Sequence, residues 1–102
     1  METYILTKSP VKGKRFRIQM TKPKPHHHDF ASDVGKTFID HKDVKLKKAW
    51  ISRHQNDKNY NSKHSGIYHS RKLLWSEPTL KQAIAKYEKE HNIKIINRTI
   101  LT

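Results

Sequence analysis

Lys14-Arg15-Phe16-Arg17-Ile18-Gln19-Met20 sets Phe16, Ile18 and Met20 on one side of an extended chain and Arg15, Arg17 and Gln19 on the other. Alternation at period two marks a strand with one face in the core and one toward solvent. Immediately upstream, Ser9-Pro10-Val11-Lys12-Gly13 carries the proline and glycine of a longer hairpin loop, and Thr3 to Thr7 supplies a β-prone partner. The chain is expected to open with a β-hairpin, with Phe16 and Ile18 in the structural core and cations on the outer face. Arg15 and Arg17 then have two readings: a solvated strand face that discourages edge aggregation, or contacts for a polyanion.

Working downstream, the alternating prolines of Lys22-Pro23-Lys24-Pro25-His26-His27-His28 impose an extended backbone, expected as an unpaired linker or arm over about Thr21 to Asp29. Asp40 and Asp43 have the spacing of a capping pair ahead of Val44-Lys45-Leu46-Lys47-Lys48-Ala49-Trp50-Ile51, which predicts a helix from about Lys42 to His54. On it Leu46, Ala49, Trp50 and Arg53 share one side, while Lys45, Lys48 and Ser52 lie round another. Trp50 reads as a core anchor rather than a stacking platform for bases. Gln55 to Gly66 reads as a polar loop and Tyr68 to Trp75 as a short helix. Ser76 is expected to N-cap the next helix, with Pro78 in its first turn and Trp75 stapled toward Leu80. Leu80, Ala83, Ile84 and Tyr87 follow at i, i+3, i+4 and i+7, the core stripe of an amphipathic helix. The β-branched run Ile93, Ile95, Ile96, Thr99, Ile100 closes the chain as a strand. The fold class is α+β: an N-terminal β-hairpin, an extended Pro/His arm, two to three helices and a C-terminal β-strand.

At 102 residues the chain is expected to form one small basic domain. Only 33% of it is apolar against 30% charged. A fold of this size buries roughly 60 to 70% of the surface its unfolded chain exposes, so the core is expected to be thin. A formal net charge of +13 sets the fold against its own repulsion, which a polyanion relieves. Five of the 22 cations are arginines. Lysine meets phosphate as a point charge, without the planar fork that suits base edges, so the balance favours contact over sequence reading. No cysteine is present, which excludes disulfides, thiolate zinc sites and a cysteine nucleophile, and fits a reducing compartment. Neither a signal peptide nor an apolar run long enough for a membrane span is found, so no transmembrane segment is expected.

Catalytic signatures are sparse. Gly35-Lys36-Thr37 resembles the end of a phosphate-binding loop, but Phe30 stands where that loop needs its first glycine, and the backbone cradle is lost. Of the eight histidines, His26 and His28 face one way on an extended chain with Asp29 beside them. Zinc needs three or four firmly held ligands, so these read as a solvated polar arm rather than a metal site. His41, His54, His64, His69 and His91 are scattered singly, without Ser-His-acid or paired-carboxylate spacing. The expectation is a protein that is not an enzyme, needs no cofactor, and offers Arg15, Arg17, Lys45, Lys48, Arg71 and Lys72 to nucleic acid or another polyanion through nonspecific phosphate contacts.

Three stretches in order, Phe38-Ile39-Asp40-His41-Lys42-Asp43, Trp50-Ile51-Ser52-Arg53-His54 and Ser70-Arg71-Lys72-Leu73-Leu74-Trp75-Ser76-Glu77-Pro78-Thr79-Leu80, resemble successive landmarks of one family. It is the family of short basic proteins encoded by nucleocytoplasmic large DNA viruses, which carry an aromatic-x-x-His-Lys-Asp step, an Ile-x-Arg-His helix end and a Leu-Leu-Trp-x-x-Pro-Thr-Leu segment. The resemblance runs from roughly Phe38 to Ile96 and departs at Gly66 to His69 and at Asp29 to Gly35. It implies a virion-associated or DNA-associated role, with no catalytic residues to carry over. The resulting expectation is a structural protein located in the virion and made in host cytoplasm or nucleus, foremost a small minor capsid protein on the inner side of the shell. Its partners would be other capsid proteins. Lys22, Pro23, Lys24, Pro25, Ile100 and Leu101 would make assembly contacts, because an extended arm and a spare strand edge serve neighbours better than a lone monomer. The alternatives are a genome-condensing DNA-binding protein and an RNA-binding module.

Overall fold

The computed structural model describes residues 2–20, 25–62 and 65–99. Four strands form one mixed sheet in the order β3-β2-β1-β4: β1 (Glu2–Lys8), β2 (Lys14–Met20), β3 (His26–Ser32) and β4 (Ile93–Asn97). Between β3 and β4 run α1 (Phe38–His41), α2 (Val44–His54), α3 (Gly66–Leu74) and α4 (Leu80–His91). The fold is therefore α+β, as the sequence implies.

The hairpin forms as its alternation dictates. β1 and β2 are antiparallel, with Leu6 opposite Ile18 and Lys8 opposite Phe16, and Gly13 turns the loop at φ +87°, where a side chain would be strained. Leu6, Phe16, Ile18 and Met20 are buried beneath the helices, while Arg15, Arg17 and Gln19 face the opposite side. β4 joins the far side of β1 in parallel, Tyr4 opposite Ile95 and Ile5 opposite Ile96, and buries Ile93 and Ile95. Its Ile95 N–H donates to Glu88 Oε2 at 2.8 Å, so a helix side chain occupies part of the outer edge.

The expected arm is corrected from Pro25 onward. His26–Ser32 is a third strand, antiparallel to β2 with Phe16 opposite Phe30 and Ile18 opposite His28. Backbone pairing with an established strand and burial of Phe30 at 1% exposure outweigh the weak β-propensity of His-His-His-Asp. α3 lies close over this strand because Gly66 has no side chain: a Cβ there would stand 3.3 Å from Phe30 Cβ. Lys22, Pro23 and Lys24, like Ile100 and Leu101, lie outside the described residues, while Pro25 is exposed beside the start of β3.

Two helix boundaries also differ from expectation. The helix expected from about Lys42 to His54 forms as α2, beginning at Val44, and a further, unexpected short helix, α1, precedes it and is closed by Lys42 in the left-handed conformation at φ 57°. Asp43 caps α2, accepting from the N–H groups of Lys45 and Leu46, whereas Asp40 belongs to α1, where it accepts the Thr37 N–H at 2.8 Å. Ser76 does not cap α4. Its hydroxyl donates to the Lys72 carbonyl at 2.7 Å, while Thr79 Oγ1 accepts the Gln82 N–H. Thr79-x-x-Gln82 is a Ser/Thr-x-x-Glu/Gln capping pair and Ser76-x-x-Thr79 is not, and Pro78 falls just before the cap instead of in the first turn.

α3 and α4 form the layer over the inner sheet face, with His69, Leu73 and Ala83 fully buried and Ile84 and Tyr87 nearly so. Leu80 is half-buried at the edge of that core. α2 is attached through an aromatic contact, Trp50 stacked on Trp75 with ring centroids 5.0 Å apart and planes 11° from parallel, beside Ile51, which packs on the core. Both indoles are buried, Trp50 at 9% and Trp75 at 8% exposure. Trp75 therefore braces α2 through this stack. The inward arc of α2 is Trp50 with Lys47, Ile51 and His54, and Leu46, which sequence spacing groups with Trp50, is left half exposed.

Candidate polyanion-contact surface

The six cations singled out in the sequence divide sharply. Arg15 forms a two-pronged pair with Asp40, its two terminal nitrogens 2.7 and 2.8 Å from the carboxylate oxygens. Arg17 forks onto Asp29 across β2 and β3 through Nε at 2.8 Å and Nη2 at 3.2 Å. Arg71 donates to the Tyr60 carbonyl and to Asn61 Oδ1 while its guanidinium covers the Tyr60 ring at 4.4 Å. Lys72 meets Glu90 at 2.9 Å and so ties α3 to α4. These four hold elements of the fold together. Each of the three carboxyls facing a cation is kept below the usual carboxylate range, chiefly by hydrogen bonding from its partner: Asp40 by Arg15, Asp29 by Arg17 and Glu90 by Lys72.

Lys45 and Lys48 are different. Both are exposed on α2, and among the described residues neither meets a carboxylate. No acid occurs within α2 itself: Lys45 and Lys48 are exposed beside Ser52, and Arg53 is exposed further round the helix toward Leu46, so the three form a cationic arc interrupted by Ala49 and Ser52. Lys47, on the same helix, is drawn inward, donating to the Ser76 carbonyl at 2.8 Å with its ammonium over the Phe38 ring.

Beside this arc lies a cleft of about 770 Å³ that the sequence does not reveal, since its walls come from distant segments. Lys14 and Lys36 stand on one side, Leu46 and Arg53 on the other, and the Trp50–Trp75 pair lies at the back. Val34, 76% exposed, and Leu46, 50% exposed, give it an apolar lip. The one carboxylate in its lining is Asp29, already engaged by Arg17 and by the Ser9 hydroxyl at 2.7 Å. Its Ser32-to-Thr37 rim includes Gly35 at φ +84° but has no phosphate cradle, and the Thr37 hydroxyl is turned onto Asp40. His41 also lines the cleft. Its Nδ1 accepts the Asp43 N–H at 2.9 Å, which places the neutral ring's proton on Nε2.

Four further histidines, His26, His28, His69 and His91, lie between sheet and helices, while His54 lines the cleft beside Trp50 and His27 is exposed near Asp29. His26 and His28 lie on the same side of β3 with rings 5.7 Å apart, and His28 faces His69 at 5.4 Å. They are thus part of a strand packed against α3 and not a free polar arm. Tyr87 is hydrogen-bonded to His69 and Tyr68 to His91, and burial pushes the Tyr87 phenol up. Among the described residues no group of three His, Asp or Glu side chains is arranged to hold a metal ion. Nor, among them, is any helix long and apolar enough to cross a membrane.

No protein-family model, curated protein or solved structure matches the chain.

Proposed function

We propose that the protein is a non-enzymatic, phosphate-contacting protein that holds nucleic acid without reading its sequence, in the setting of a large DNA virus particle that the sequence resemblance implies. The observation that carries this reading is the α2 arc. Lys45, Lys48 and Arg53 are exposed together on a helix without acids, while the cations elsewhere that serve the fold already have partners. Two of the three are lysines, which neutralise phosphates without the fork that reads guanine. The test is anisotropy titration of the protein with two duplexes of equal length and unrelated sequence. The reading expects affinities within a few-fold of each other. Strong preference for one sequence, or no binding at low salt, would overturn it.

A second reading, a minor capsid protein on the inner side of the shell, draws on the outer face of the sheet. There Ile5 and Ile96 are register partners, half-buried, on the side away from α3 and α4. A neighbouring capsid protein would cover that face. Stoichiometry and symmetry of the chain in purified particles test it: a fixed copy number at lattice positions supports a shell role, and variable copies following genome content oppose it.

A further inference from the structure

We infer that the cleft beside α2 is a binding site for single-stranded nucleic acid, in which an unstacked base enters the cleft while its flanking phosphates rest on Lys14, Lys36 and Arg53. The inference rests on the phosphate-contact reading above and adds which form of nucleic acid the site takes.

Charge points to an anion. Lys14, Lys36 and Arg53 are exposed around the mouth, none of them meets an acid among the described residues, and the only lining carboxylate is neutralised by Arg17. Shape and chemistry narrow the anion further. A volume of about 770 Å³ is in the range of sites that enclose a small organic group, far more than a bare phosphate needs. Of the four large apolar side chains most exposed among the described residues, Val11, Val34, Val44 and Leu46, two, Val34 and Leu46, meet at this mouth and give an apolar group a surface to pack on. Behind them stand polarisable rings, Trp50 against Trp75 with the His54 imidazole 4.6 Å from Trp50. An anionic chain that carries flat, weakly polar groups at regular intervals satisfies both halves of the site, and a single-stranded nucleic acid is such a chain. In a duplex the bases are stacked and paired, so the backbone can reach the cations while the cleft stays empty. Lys14 and Lys36 also border a second cleft of about 670 Å³ with Lys8, but there Arg15 is held by Asp40 and Asp33 is an exposed acid, so the cations that favour an anion are those at the first cleft.

Both tryptophans of the chain line this cleft, so intrinsic fluorescence reports its occupation directly. The full chain is titrated at fixed salt with a short oligothymidylate, an abasic deoxyribose-phosphate oligomer of the same length, a duplex of equal phosphate count, and polyglutamate. The expected result is tighter binding of oligothymidylate than of the abasic oligomer by about tenfold, with a change in tryptophan emission that the abasic oligomer and the duplex do not produce. Leu46→Lys and, independently, Val34→Lys should abolish that preference while keeping or strengthening duplex binding, because each adds a cation as it removes apolar lining at an exposed position. Equal affinities for the base-bearing and abasic oligomers would overturn the inference and leave the phosphate-contact reading standing. Failure of every nucleic acid to bind would overturn both. Polyglutamate matching oligothymidylate in affinity and emission change would overturn it in favour of an acidic peptide.

Discussion

Arg17 reaches across from β2 to β3 and sets its guanidinium on Asp29 with Nε 2.8 Å from Oδ1, whereas Lys45 and Lys48 leave α2 on the solvent side and meet no acid among the described residues. The first belongs to the sheet and the helices tied to it, where Arg15 bridges β2 to α1, Arg17 bridges β2 to β3 and Lys72 bridges α3 to α4, each through a carboxylate. The second belongs to a flank that the Trp50–Trp75 stack holds to that framework. Residues of the same sign thus have opposite uses. A planar fork on a carboxylate fixes geometry, while a hydrated ammonium without a partner adds only repulsion to the monomer and is relieved when an external anion arrives. Net charge alone does not separate these uses, and the location of the acids does.

The largest expected effect comes from separating the two regions. Trp75→Ala removes the surface on which α2 rests and should cost about 3–5 kcal/mol, as large aromatic truncations in cores do. Chemical denaturation measures this, and a loss below about 1 kcal/mol would show that α2 is held by something other than the indole stack. Next in size is Arg17→Ala, which leaves the half-buried Asp29 with the Ser9 hydroxyl and the more distant His27. Stability should fall in the same assay by less than for Trp75→Ala, with nucleic-acid affinity unchanged.

Acid titration sharpens the comparison from the carboxylate side. Asp40, Asp29 and Glu90 have lowered values in the fold, so the unfolded chain takes up protons first as pH falls. The stability these pairs contribute is present above the ordinary carboxylate range, near pH 4, and is lost as pH drops through the lowered folded values. Asp40→Asn should flatten that part of the stability profile, while Lys45→Gln with Lys48→Gln should leave its shape intact. A smaller, local effect is expected at the α4 cap: Thr79→Ala should cost about 1 kcal/mol and speed hydrogen exchange at the Gln82 amide, whereas Ser76→Ala should leave that amide unchanged.

The elements legible in the sequence are those whose pattern is local and consistent. Phe16, Ile18 and Met20 alternate beside a Pro/Gly loop, and Ala83, Ile84 and Tyr87 repeat at helical spacing, so β2 and α4 follow from the chain alone. β3 does not, because three histidines and an aspartate say little about strand; it exists through pairing with β2 and through Gly66 letting α3 close over Phe30. The division of the cations is equally invisible. Arg15 and Asp40 are 25 residues apart, and only the fold brings them together. The cleft is illegible for the same reason, since Lys14, Val34, Leu46 and Trp75 share no local pattern. Thr79 was readable, through Gln82 three residues on, but Ser76 beside a proline is the louder local signal.

The central claim is that α2 carries the phosphate contacts and the sheet arginines do not, and the salt dependence of duplex binding tests it most directly. Lys45→Gln with Lys48→Gln should change stability by no more than about 0.5 kcal/mol. The same double variant should reduce the magnitude of the slope of log affinity against log salt by about 1.8, since each phosphate contact contributes about 0.9. Arg15→Gln with Arg17→Gln, assayed where the variant is folded, should leave the slope at the wild-type value. A slope that is unmoved by the lysine pair and lowered by the arginine pair would contradict the account.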